Sequence, residues 1–71
     1  MIVLKSNLRI LRAKMNISQT TLSKAINISR QTISLLEKGE YIPSLKTAKK
    51  LSLYFEEPID DIFILEEEDL I

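Results

Sequence analysis

Two hexapeptides in this chain open alike, Ile17-Ser18-Gln19-Thr20-Thr21-Leu22 and Ile28-Ser29-Arg30-Gln31-Thr32-Ile33, and together they leave the middle of the chain little freedom. In each, the Ser is placed to cap a helix, its hydroxyl accepting from an otherwise unpaired amide of the first turn. The Ile before it meets the Leu or Ile five residues on as a hydrophobic staple. Two short helices follow, over about 19–26 and 30–38. Only Asn27, Ile28 and Ser29 separate them, too few residues for anything except a sharp turn. Asn27 suits left-handed backbone there. Gly39, the one glycine of the chain, falls where the second helix needs a left-handed terminator.

The flanking segments read as further helices. Ser6 is placed to cap a first helix running to about Met15, with Leu8, Leu11 and Met15 on one apolar stripe. Ser44 offers another cap, and Leu45, Ala48, Leu51 and Phe55 define a fourth amphipathic helix whose other faces carry Lys46, Lys49 and Lys50. Pro58 suits the first helical position of a last short helix, in which Asp60 and Asp61 favour the positive end of the dipole and Ile59, Ile62 and Phe63 turn inward. At the two ends, Ile2-Val3-Leu4 and Phe63-Ile64-Leu65 allow either short paired strands, over about 2–5 and 63–67, or frayed termini. The expected fold is an all-α, five-helix domain occupying residues 1–71 as one unit, with a small terminal β-sheet if those strands pair.

Composition closes off whole classes of function. No Cys or His occurs among the 71 residues, so disulfides, thiol chemistry, a His general base and the usual zinc ligands are all missing. The Ser and Thr residues serve as caps with no base to activate them. No catalytic residue, metal site, cofactor or small-molecule ligand is therefore expected, and the chain does not read as an enzyme. Eleven Ile and eleven Leu supply a dense aliphatic core in place of cross-links. No apolar run exceeds four residues, Ile62 to Leu65 being one such run, so neither a secretion signal nor a membrane span is expected and the location expected is cytoplasmic. The formal net charge of zero hides an asymmetry. Residues 1–55 hold all ten basic residues and two acids, a net +8, whereas residues 56–71 hold eight acids and no base, a net −8. A basic body of this kind fits a polyanion, with the acidic end turned away, or both ends are simply solvated faces.

From Gln19 to Leu36 the pattern is helix, tight turn, helix, with apolar Leu22, Ile26, Ile28, Ile33 and Leu36 and a small residue, Ser23, where two crossing backbones approach. That is a helix-turn-helix. Its second helix presents Arg30, Gln31, Ser34 and Leu35, side chains able to read guanine, adenine and the thymine methyl in a major groove.

The motifs Asn7-Leu8-Arg9 through Arg12, Ile17-Ser18-Gln19, Leu22, Ser29-Arg30-Gln31-Thr32-Ile33-Ser34, Leu36-Glu37-Lys38-Gly39, Pro43-Ser44-Leu45 and Asp61-Ile62-Phe63 together resemble the Cro and phage-repressor type of regulator, the XRE family. The likeness covers about residues 7–63. It extends to a compact branch typified by the cytolysin regulator, in which strands from both termini form a small sheet and the protein is a homodimer. The resemblance implies a lambda-repressor-like DNA-binding domain. Arg30, Gln31, Ser34 and Leu35 would contact bases, while Gln19, Ser29, Thr32, Lys38 and Tyr41 would contact the phosphate backbone. Arg12 and Glu37 would form a structural salt bridge joining the first and third helices. Asn27 in place of the usual turn Gly and Ser23 in place of the usual Ala depart from the family pattern, and both are sterically tolerable. The resulting expectation is a homodimeric transcriptional repressor on a palindromic operator in double-stranded DNA. The alternative is a protein-interaction module, an antitoxin or adaptor on the same fold, which the near-neutral total charge favours.

Overall fold

A computed structural model describes residues 5–65. Within them the chain forms β1 (Lys5–Ser6), α1 (Leu8–Lys14), α2 (Gln19–Ile26), α3 (Arg30–Lys38), α4 (Leu45–Phe55), α5 (Ile59–Ile62) and β2 (Phe63–Ile64). The strands pair antiparallel, Lys5 opposite Ile64 and Ser6 opposite Phe63, so the two ends of the described chain are stitched together. The expected strand residues Ile2-Val3-Leu4, Glu66 and Glu67 lie outside the described residues.

Helices α2, α3 and α4 start for one local reason. Ser18, Ser29 and Ser44 accept from the amides of Thr21, Thr32 and Thr47 at 3.0, 3.1 and 3.1 Å. Each hydroxyl also bonds the hydroxyl of that same Thr, at 3.0, 2.8 and 3.0 Å. The Thr stands where a capping box ordinarily carries Glu or Gln, so none of these three helices has an acid in its first turn.

Helix ends also share one device. Asn16, Asn27, Gly39 and Glu56 all take left-handed backbone, with φ of 54, 56, 72 and 55°. The amide after each one donates back to the carbonyl five residues earlier: Ile17 to Arg12, Ile28 to Ser23, Glu40 to Leu35 and Glu57 to Ser52, at 3.1–3.2 Å. This is the Schellman closure. In three of the four the side chain of the accepting residue answers the bond. Arg12 Nη1 donates to the Ile17 carbonyl at 2.9 Å, Ser23 Oγ to that of Ile28 and Ser52 Oγ to that of Glu57 at 2.6 Å. Ser23 is thus more than a small residue at a helix crossing, because its hydroxyl locks the turn that aims α3.

Leu8, Leu22, Ile33, Leu36, Leu51 and Ile62 are completely buried, with at least one from each helix. Truncating any of them to Ala removes contacts worth about 2–5 kcal/mol. Ile17 and Ile28, the staple residues, pack against this cluster.

Several local expectations change. Ser6 does not cap α1; it pairs with Phe63 in the sheet, and its Oγ accepts from the Leu8 amide at 3.3 Å. Asn7 holds the cap position without a side-chain cap bond. Its amide donates instead to the Ile62 carbonyl at 2.8 Å and its Nδ2 to that of Asp61 at 2.9 Å, fixing α1 to α5. Met15 lies past the end of α1 and is exposed. Leu45 has the spacing of the α4 stripe but is 81% exposed, since it stands in the first turn, beyond the reach of the core. Pro58 occupies the cap of α5 and Ile59 its first position. Phe63 is buried, but in β2.

Candidate nucleic-acid interface

Helix α3 is anchored by Ile33 and Leu36, both fully buried. At 3.6 residues per turn, positions 30, 31, 34, 35 and 38 then form a continuous stripe on the far side. Arg30, Gln31, Leu35 and Lys38 are exposed and Ser34 is half-buried. Four turn and cap bonds fix the start of this helix: Ser29 to the Thr32 amide, Ser29 to the Thr32 hydroxyl, Ile28 to Ser23 and Ser23 to Ile28. The stripe is therefore carried on a rigid support.

Behind it lies a polar network. Arg12 of α1 meets Glu37 of α3 through two bonds, Nε to Oε2 at 2.6 Å and Nη2 to Oε1 at 3.1 Å. Only 17% and 6% of the two side chains remain exposed, which separates this pair from a solvated surface bridge. Gln19 Nε2 donates to Glu37 Oε1 at 3.1 Å, bringing α2 into the same knot. Burial alone would raise the Glu37 carboxyl. Hydrogen bonds from Arg12 and Gln19, with the charges of Arg12 and Arg9, outweigh burial and hold it below its ordinary value. The bond to Glu37 raises Arg12 in turn, against the opposing effect of desolvation.

Two shallow clefts flank the stripe. One, of about 290 Å³, is lined by Gln19, Arg30, Gln31 and Ser34. The other, of about 270 Å³, is lined by Arg9, Arg12, Gln19, Ser34, Glu37 and Lys38. They share Gln19 and Ser34, so Arg30, Gln31 and Ser34 of the residues singled out for bases and Gln19 and Lys38 of those singled out for phosphates line adjoining surfaces. Ser29, Thr32, Leu35 and Tyr41 line neither cleft. Ser29 and Thr32 are engaged with each other at the start of α3, and Tyr41 is exposed in the loop after it. The sequence reading gave Arg9 no role. Its spacing of three residues from Arg12 along α1 places both guanidinium groups toward one cleft.

Electrostatics favour a polyanion on this side. With no acid in their first turns, α2 and α3 leave their positive dipole ends uncompensated. Glu37 is the one acid lining either cleft, and Arg12 neutralises it. Exposed apolar residues gather elsewhere, around a groove of about 300 Å³ lined by Ile42, Pro43, Leu45, Ala48, Ile59, Asp60, Phe63 and Leu65.

Comparison with known proteins agrees with this geometry. The helix-turn-helix family model matches residues 8–62. An uncharacterized HTH-type transcriptional regulator of Archaeoglobus fulgidus is 45% identical over 67 residues, covering 94% of each chain. One from Methanocaldococcus jannaschii is 46% identical over 66 residues, covering 93% of this chain and all of the relative. Another from Bacillus subtilis is 39% identical over 66 residues with the same coverage. Five helices closed by a terminal strand pair, with an exposed polar stripe on the third, define a helix-turn-helix regulator, and the chain belongs to the XRE-type helix-turn-helix family. Among the described residues no helix is long and apolar enough to cross a membrane.

Proposed function

We propose that this protein is a sequence-specific transcriptional repressor. One helix-turn-helix unit over residues 1–71 would bind double-stranded DNA as a homodimer in the cytoplasm, without catalysis or cofactor. The observation that carries the reading is the stripe of Arg30, Gln31, Ser34 and Leu35, presented on a helix bolted down by Ile33 and Leu36. Arg30 suits the guanine O6 and N7 acceptors, Gln31 the donor–acceptor edge of adenine, and Leu35 the thymine methyl. Gln19, Ser29, Thr32, Lys38 and Tyr41 contact phosphates and set the register, while the Arg12–Glu37 pair keeps α1 and α3 in fixed relation.

Dimerisation follows from size. One domain of this kind makes too few contacts for tight discrimination, and two copies add their binding energies. The exposed apolar residues Ile42, Leu45 and Leu65 around one groove support a self-complementary contact there. Paired recognition helices would read a palindrome with half-sites about 34 Å apart, with the acidic end turned from the DNA.

Selection of bound sequences from a random duplex pool tests this. A palindrome is expected, with binding that falls steeply as salt rises. The double substitution Arg30→Ala/Gln31→Ala should abolish recovery of that sequence while the protein still folds. Retained sequence preference in the double variant would discard the assignment of these residues, whereas recovery of no sequence by wild type would favour a protein-interaction module instead.

A further inference from the structure

Arg9 stands out in the cleft between α1 and α3. It is exposed, and the ion pair among the described residues, Arg12 to Glu37, does not include it. The contrast with Arg12, three residues on, is chemical. Arg12 spends Nε and Nη2 on Glu37 and Nη1 on the Ile17 carbonyl, and Glu37 cancels its charge. Arg9 has five N–H donors, and no acceptor among the described residues meets them. Exposed Lys38 lines the same cleft, as do Ser34 and Gln19, whose Nε2 gives one of its two hydrogens to Glu37. With Arg12 and Glu37 paired, Arg9 and Lys38 leave the described lining of the cleft positively charged, with donors from three helices. A ligand that fits is a small anion with several acceptor oxygens and no donors, which describes a phosphodiester.

We propose that Arg9, together with Lys38, clamps one backbone phosphate of the duplex in this cleft. The inference rests on the DNA-binding reading and deepens it by adding a contact from α1. Because this cleft shares Gln19 and Ser34 with the one lined by Arg30 and Gln31, the clamped phosphate lies beside the bases those two residues address. The clamp fixes how far α3 can enter the groove and carries no sequence preference of its own.

The experiment measures affinity of the full chain for its selected duplex and for an unrelated duplex, over a range of salt. Arg9→Ala should weaken both by about the same factor, on the order of tenfold, and reduce the slope of log affinity against log salt by about one. Arg9→Lys should keep the slope and lose part of the affinity, since it keeps the charge and not the fork. Thermal melting of both variants should match wild type, because Arg9 is exposed. A wild-type slope in Arg9→Ala overturns the clamp, as does a loss confined to the selected duplex, which would make Arg9 a base reader. Inorganic phosphate is the second arm: saturable shifts of Arg9 and Lys38 resonances without DNA would assign the cleft to a free anion and overturn the backbone assignment. If wild type binds neither duplex, the DNA reading fails and takes this inference with it; if wild type binds and the Arg9→Ala slope is unchanged, this inference alone fails.

Discussion

The α2–α3 face and the edge built from α4, α5 and β2 are both uncovered, but in opposite ways. On the first, the core-forming apolar stems point inward: Leu22, Ile33 and Leu36 are fully buried, and the solvent meets Arg30, Gln31, Ser34 and Lys38, with Leu35 the one exposed apolar side chain of α3. On the second, apolar side chains themselves face out, with Ile42 48%, Leu45 81% and Leu65 41% exposed, around a groove whose one charged lining residue is Asp60. The helix ends differ in the same sense. The first turns of α2 and α3 carry no acid, and neither does that of α4, whereas that of α5 carries Asp60 and Asp61. A surface of the first kind gains from a partner rich in acceptors and negative charge; a surface of the second kind gains from removal of apolar area from water. Rigidity separates them too, since the first is backed by the Arg12–Glu37–Gln19 knot.

The largest effect should come from that knot. Glu37→Ala strands Arg12 without its partner, and the expected loss is about 3 kcal/mol of stability, the cost of leaving a mostly buried charge unpaired. Denaturant unfolding measures it. Glu37→Gln separates the ionic part through pH. Because the folded state holds the Glu37 carboxyl below its ordinary value, its contribution is fully present above the unfolded carboxylate range and is lost as pH falls through the lower folded value. The melting temperatures of wild type and Glu37→Gln should therefore differ most near neutrality and converge in acid. Curves that stay parallel would show that the pair adds no ionic stabilisation, and would remove the contrast in rigidity between the two surfaces.

Next comes the apolar edge. If it holds a second copy, Leu45→Ala should weaken dimerisation by about 2 kcal/mol, roughly thirty-fold, while leaving the folded monomer unchanged, because a side chain this exposed contributes little to the core. Sedimentation over a range of concentration reads both quantities. An unaltered dimer would move the contact elsewhere and leave the edge without an assigned partner.

Legibility in the sequence divides along similar lines. The starts of α2, α3 and α4 could be read from Ser18, Ser29 and Ser44 because a cap is a contact within three residues. The ends at Asn27 and Gly39 could be read because those residue types favour positive φ. What depends on distant neighbours could not be read from local pattern, and the Arg12–Glu37 pair was legible only through the family resemblance. Ser6 has the local chemistry of a cap, and only its pairing with Phe63 shows that the helix starts one residue later. Leu45 fits the period of the α4 stripe, but which turn of α4 overlies the core depends on packing between helices. The cleft around Arg9 exists because α1 lies beside α3, an arrangement that spacing along α1 does not specify. Glu56 ends α4 with neither glycine nor asparagine to mark the place.

Glu56 supplies the smallest prediction. Its φ of 55° costs a side chain with a Cβ roughly 1 kcal/mol or more, and Glu lacks the short polar group that lets Asn tolerate this region. Asn27 adopts almost the same backbone, φ 56°, at the turn that aims α3. Replacement by Gly relieves the left-handed penalty at either site but enlarges the freedom of the unfolded chain, which offsets about 0.4–1 kcal/mol. The balance differs between the two: Glu56→Gly should stabilise by about 0.5 kcal/mol, whereas Asn27→Gly should be near neutral. Both helix ends are closed by the same pair of Ser bonds, from Ser52 and Ser23, so the difference isolates the residue in the left-handed position. Equal gains at both sites would mean that Asn27 is as strained as Glu56, and that the turn behind the recognition stripe stores strain that the α4–α5 corner does not exceed.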